Sequence, residues 1–111
     1  MLTEKHKQFI TSLAKSKDDV YLFESDSLSG NSMTLRYRRD WVDNWNGYSS
    51  PHYQTSMIFS VKIPDAIWDD KNIKWVETIE RTKAFDKFNK MVAEAKELFN
   101  QIRKETFTKI S

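Results

Sequence analysis

The sequence predicts an α+β domain: an antiparallel sheet of three to four strands packed on a long C-terminal helix, with an N-terminal helix beside it. Three observations carry that expectation. From Thr82 to about Thr106, apolar residues fall at alternating steps of three and four: Phe85, Phe88, Val92, Ala95, Phe99 and Ile102, widened by Ala84, Met91 and Leu98. That is the stripe of an amphipathic helix. Met33 to Arg39 and Tyr53 to Ile63 instead alternate with period two, as half-buried strands do. The eleven-residue strand spans roughly 36 Å and the 25-residue helix roughly 37 Å, so one can lie along the other.

The elements follow in order. Leu2 to about Ser16 reads as a helix with His6, Phe9, Ile10, Leu13 and Ala14 on one face and Thr3 as its cap. Asp18-Asp19 turns the chain into a strand over Val20–Glu24. A polar connection follows, with Gly30-Asn31 as its turn centre. In the next strand Met33, Leu35 and Tyr37 share one face, and Thr34, Arg36 and Arg38 share the other.

Asp40 to His52 reads as a loop or a long hairpin tip, with Asn46-Gly47 as the strongest turn signal in the chain. Pro51 resists a central strand position. Tyr53, Thr55, Met57, Phe59, Val61 and Ile63 are expected on one face of the following strand, with Ile58 the one apolar residue out of phase. Pro64 stops that strand, and Asp65 caps a short turn through Ala66-Ile67-Trp68. Asn72–Glu80, before the long helix, fits an edge strand through Ile73, Trp75 and Ile79 better than it fits a helix through Ile73, Val76 and Glu80, and both readings stay open.

Composition narrows the function classes. At 111 residues the chain is expected to form one domain, 1–111. It has no cysteine, which removes disulfides, thiolate ligands and cysteine nucleophiles together. Eighteen basic residues face sixteen acidic ones, spread evenly over both halves, so no basic tail points to nucleic acid or membrane. The polar start MLTEKHKQF has no apolar signal region, and no apolar run approaches the ~20 residues of a bilayer span. The expected location is cytoplasmic, with no membrane association.

The residues that carry chemistry are sparse. His6 and His52 are the only histidines and lie far apart, so no metal and no cofactor is expected. Asp65 and Asp69 are too close in sequence to place two carboxylates on adjacent strands. No G-x-S-x-G occurs, and two glycines in the whole chain leave no phosphate-cradling loop. The chain is therefore read as not an enzyme.

Binding is the reading that remains. Asp40 to Tyr53 gathers Trp41, Trp45, Tyr48 and Tyr53 among Asn, Gly and Ser, the composition of antibody binding loops. Trp41 is expected to fold toward the core. Trp45 and Tyr48, flanking the turn, are the expected partner contacts, with Arg38 and Arg39 at the base. The expectation is a protein-binding module, an inhibitor or adaptor, as a monomer or homodimer. Lysine outnumbers arginine 13 to 5, with six asparagines, which suits an AT-rich genome and a phage or mobile-element accessory protein acting on a host complex. The alternative is a nucleic-acid binder using a sheet face with Arg36, Arg38, Arg39 and Lys62.

Overall fold

The computed structural model describes residues 1–26 and 31–108. Helix α1 (Glu4–Lys15) precedes strands β1 (Asp19–Asp26), β2 (Ser32–Trp45) and β3 (Tyr48–Lys62). Two short strands, β4 (Ile67–Asp69) and β5 (Lys74–Val76), lead into helix α2 (Ile79–Thr108). The class is α+β, as the periodicities predict. β1, β2 and β3 form one antiparallel sheet in that order, and β4 pairs with β5 in a separate two-stranded sheet. The turn expected at Gly30 lies outside the described residues.

Both helices start where a threonine can cap them. Thr3 Oγ1 accepts from His6 N, and His6 Nδ1 accepts from Thr3 N, both at 3.2 Å. Histidine thus takes the place that Glu or Gln usually fills in this reciprocal cap. Thr78 Oγ1 accepts from Arg81 N at 3.0 Å, so α2 begins at Ile79 rather than at Thr82, and the expected strand over 72–80 shrinks to Lys74–Val76. Of the turn anticipated at residues 66–68, Ile67 and Trp68 instead belong to β4, which pairs Trp68 with Trp75.

The core lies between the helices and one face of the sheet. Ile10, Leu13 and Ala14 of α1 and Phe88, Met91, Val92, Ala95 and Phe99 of α2 are buried with Leu35, Tyr37, Phe59 and Val61 of the sheet. Phe59 is the centre of this layer, edge-on to Phe88 with ring centroids 6.1 Å apart and 5.6 Å from the His6 ring.

The sheet contains one irregularity with wide consequences. Leu35 pairs with Phe59, but the next residue, Arg36, pairs with Met57. Ile58 is thus an extra residue in β3, a β-bulge, and it is buried together with its neighbour Phe59. The bulge inverts the side-chain alternation. Phe59, Val61 and Ile63 are buried in the core, whereas Met57, Thr55 and Tyr53 pair with Arg36, Arg38 and Asp40 on the opposite face. The single face expected for Tyr53 through Ile63 is therefore split in two at residue 58.

Beyond Asp19, the last residue of β1 to pair with β2, β2 and β3 run on as a two-stranded arm. Pro51 is accommodated because β3 is an edge strand. The arm ends at Asn46-Gly47, with φ of 49° and 79°, the double positive φ of a type I′ hairpin turn. The radius of gyration is 18.6 Å, against about 13 Å for a compact domain of this length. The arm accounts for much of that excess.

Candidate interaction surfaces

The arm carries the first surface. Trp45 and Tyr48 pair across the turn and are 75% and 76% exposed. Behind them on the same side, Trp41 stacks on His52 with centroids 5.5 Å apart, and His52 Nε2 lies 3.1 Å from Asp43 Oδ2. Trp41 is therefore half-buried in the arm, not folded into the core as expected. On the other side Ser49 Oγ donates to Asn44 Oδ1 at 2.9 Å. These cross-strand contacts support a ladder in which every residue from 42 to 53 is exposed.

Arg38 and Arg39 were expected together at the base of the arm; strand alternation separates them. Arg39 is on the helix side. Its Nε donates to Asp18 Oδ2 at 2.6 Å and its guanidinium lies 4.9 Å from the Trp41 ring centroid. Arg38 is on the open face. Its Nε is shared between both Asp40 carboxylate oxygens at 3.1 and 3.2 Å, and its guanidinium lies 4.5 Å from the Tyr53 ring centroid. The hydrogen bond to Asp40 holds the Arg38 pKa above the ordinary arginine value. Arg39 therefore does not belong to the cationic face proposed for Arg36, Arg38 and Lys62.

The open face of the sheet is the second surface, and alternation in β2 alone hides its aromatic content. Phe23, Arg36 and Met57 stand side by side across the three strands. Tyr21, Arg38 and Thr55 form the next row, and Asp40 pairs with Tyr53 in the row after that. Tyr21 and Phe23 are tilted rings 5.8 Å apart. Tyr21, Tyr53 and Met57 are each at least half exposed. Lys62 pairs with Ser32 on the same face, four residues along and so about 13 Å from Arg36. The adjacency of Ile58 and Phe59 is the only sequence signal of the bulge that brings Tyr53 and Met57 here.

The β4–β5 hairpin is the third surface. Trp68 and Trp75 meet edge-to-face with centroids 5.3 Å apart. Ile67, Ile73, Trp75, Val76 and Ile79 are all exposed around them. Asp69 organises the turn by accepting from Lys71 N, Asn72 N and Asn72 Nδ2 at 3.0, 3.3 and 2.8 Å. These bonds, the Asn72 side chain first, hold the Asp69 carboxyl below its ordinary pKa.

A groove at the base of the arm is lined by Asp18, Asp19, Asp40, Asp43 and His52. Three of its carboxylates lie against cationic or histidine side chains: Asp18 with Arg39, Asp40 with Arg38 and Asp43 with His52. No group of three or more His, Cys, Asp and Glu side chains among the described residues is placed to hold a metal ion. No helix among them is long and apolar enough to cross a membrane. Compared with protein families, curated proteins and solved structures, the chain gives no match. The surfaces themselves therefore carry the functional reading.

Proposed function

We propose that this chain is a non-enzymatic protein-binding module, an inhibitor or adaptor, that inserts the tip of its hairpin arm into a cleft on its partner. The observation that carries this reading is the pair Trp45 and Tyr48, both about three-quarters exposed at the end of the arm. Nothing in the core requires them there. Two aromatics with few rotatable bonds give large contact area at low entropic cost, and such side chains dominate interface energetics. A long hairpin suits a concave target, as long antibody loops do. The Lys- and Asn-leaning composition fits a phage or mobile-element accessory protein that blocks a host enzyme or defence complex.

The test is capture of a partner from the native host by the wild-type chain and by the Trp45→Ala/Tyr48→Ala double variant. The variant is expected to keep its circular dichroism and denaturation midpoint and to bind the captured partner at least about tenfold more weakly. Undiminished binding by a folded variant overturns the reading, and so does loss of folding, which would make the tip structural.

A further inference from the structure

We infer that the open face of the three-stranded sheet is a binding site for single-stranded nucleic acid, built from Tyr21, Phe23, Arg36, Arg38 and Tyr53. This site is separate from the arm tip and does not depend on the reading given to it. Arg38 and Trp45 are seven residues apart in β2, or about 23 Å.

The arrangement of cations and rings selects the ligand. Arg36 and Arg38 run down the central strand, while Phe23 and Tyr21 flank them on β1 and Met57 and Tyr53 on β3. Neighbouring strands are about 4.8 Å apart, so rings on the two outer strands stand about 10 Å apart with a cationic track between them. Arg36 forms no ion pair or hydrogen bond with a described residue, and Arg38 uses only its Nε on Asp40. The Nη groups of both guanidiniums are left to donate. Covering this face with an apolar protein surface would bury the Arg36 charge unpaired, which is costly. A covering ligand must therefore bring negative charge to the centre of the face and planar groups to its flanks. Phosphates and bases do both. Guanidinium planes and tyrosine rings stack bases of any sequence, and cations track the backbone. The Arg38–Tyr53 stack already presents one such layered surface.

The same geometry limits the affinity. Arg36, Arg38 and Lys62 supply two or three phosphate contacts on a chain whose net charge is only +2. Each contact on a single strand contributes about −0.7 to the slope of log affinity against log salt, so the expected slope is about −1.4 to −2.1.

The experiment is fluorescence anisotropy of labelled oligothymidylate and oligouridylate, each about twelve nucleotides long, titrated with the full chain at several salt concentrations. Comparison of the two oligonucleotides shows whether DNA or RNA is preferred. Saturable binding is expected for at least one of them, with the slope above and poor competition by a duplex. Tyr53→Ala and Tyr21→Ala should each weaken binding by about five- to a hundredfold, while Tyr53→Phe stays within about twofold because it keeps the stacking ring. Arg36→Gln should make the slope shallower by about 0.7, a readout that survives even if a tyrosine variant fails to fold. Lack of saturable binding at low salt overturns the inference. So does binding that is indifferent to Tyr21→Ala, Tyr53→Ala and Arg36→Gln. If those variants spare the oligonucleotide but abolish capture of a protein by the chain, the face belongs to a protein interface and the inference is overturned likewise.

Discussion

Arg39 Nε donates to Asp18 Oδ2 at 2.6 Å, tying the loop after α1 to the point where the arm leaves the sheet. Asp18 also accepts, through its backbone carbonyl, from Arg103 Nη2 at 3.0 Å, so α2 is fastened to the junction as well. The Arg103 guanidinium lies near the rings of Phe99 and Phe107, at 5.4 and 5.1 Å. Both side chains of the ion pair remain partly exposed, and solvent screening limits its value. A double-mutant cycle of Asp18→Ala and Arg39→Ala, read by urea denaturation, should give a coupling of about 0.5–1 kcal/mol. Because Arg39 points away from the open face, Arg39→Ala should also leave oligonucleotide affinity within about twofold.

Gly47 allows a conformational defect to be placed in the arm alone. Its φ is +79°, and a Cβ built on it meets nothing within 4 Å. Gly47→Ala therefore adds backbone strain without a clash, costing about 1 kcal/mol. The residues of the tip are all exposed, so that cost falls on the arm's own opening. Amide hydrogen exchange at Trp45 and Tyr48 should accelerate about fivefold while the global denaturation midpoint holds. A drop in the midpoint would show that the arm and the core unfold as one unit.

How legible these surfaces were depends on whether a local rule meets a local structure. Phe88, Val92, Ala95 and Phe99 are buried as their spacing predicts, because α2 presents one continuous stripe to one layer. Phe85 and Ile102, toward the two ends of that stripe, are only partly covered. Asn46-Gly47 forms the turn that its sequence demands. Alternation, by contrast, propagates parity along a strand, and one inserted residue reverses it. Ile58 does that: strict alternation puts Tyr53 and Met57 on the face of Phe59 and Val61, and the bulge turns them to the open face. Strands of three residues, such as β4 and β5, are too short for alternation to register at all.

Ile73 stores strain in the small hairpin. It is a β-branched residue at φ +50°, exposed, in the turn that joins β4 to β5. Left-handed backbone costs such a residue roughly 1–2 kcal/mol. Ile73→Asn or Ile73→Gly should release part of that cost. Thermal loss of the circular-dichroism signal from the Trp68–Trp75 pair is expected at higher temperature in either variant. An unchanged or lower transition would mean that the Ile73 side chain makes a contact worth more than the strain.

The neighbouring carboxylate gives the hairpin a pH dependence. The three bonds accepted by Asp69 favour its ionised form, so its pKa is lower in the folded turn than in the unfolded chain. A group of that kind contributes stability that is fully present above its unfolded pKa and is lost as pH falls through its folded pKa. Trp68 and Trp75 fluorescence should accordingly hold steady down to the ordinary aspartate range and change below it. Asp69→Ala should destabilise the turn at neutral pH and flatten that acid transition. A transition retained in the variant would assign the effect to another group.

The bulge makes a prediction about what an inserted residue does. Removing Ile58 leaves Leu35 opposite Phe59 and Arg36 opposite Met57, now as successive pairs of a regular ladder. Every side chain of the arm and of the open face should keep its present face. What is lost is the burial of one isoleucine, about 2–5 kcal/mol by analogy with large-to-small core substitutions, and the added local twist that a bulge imparts. The deletion variant should therefore fold with reduced stability, keep the Arg38–Tyr53 contact in nuclear Overhauser spectra, and hold the arm at a changed angle to the helices. Removing Thr55 instead shifts Tyr53 one place in the ladder and carries its ring off the open face. Oligonucleotide affinity should survive the first deletion and fail in the second, because ring placement depends on parity whereas stability depends on the buried side chain. If the Ile58 deletion also loses the Arg38–Tyr53 contact, the bulge itself is what sets the register of the arm.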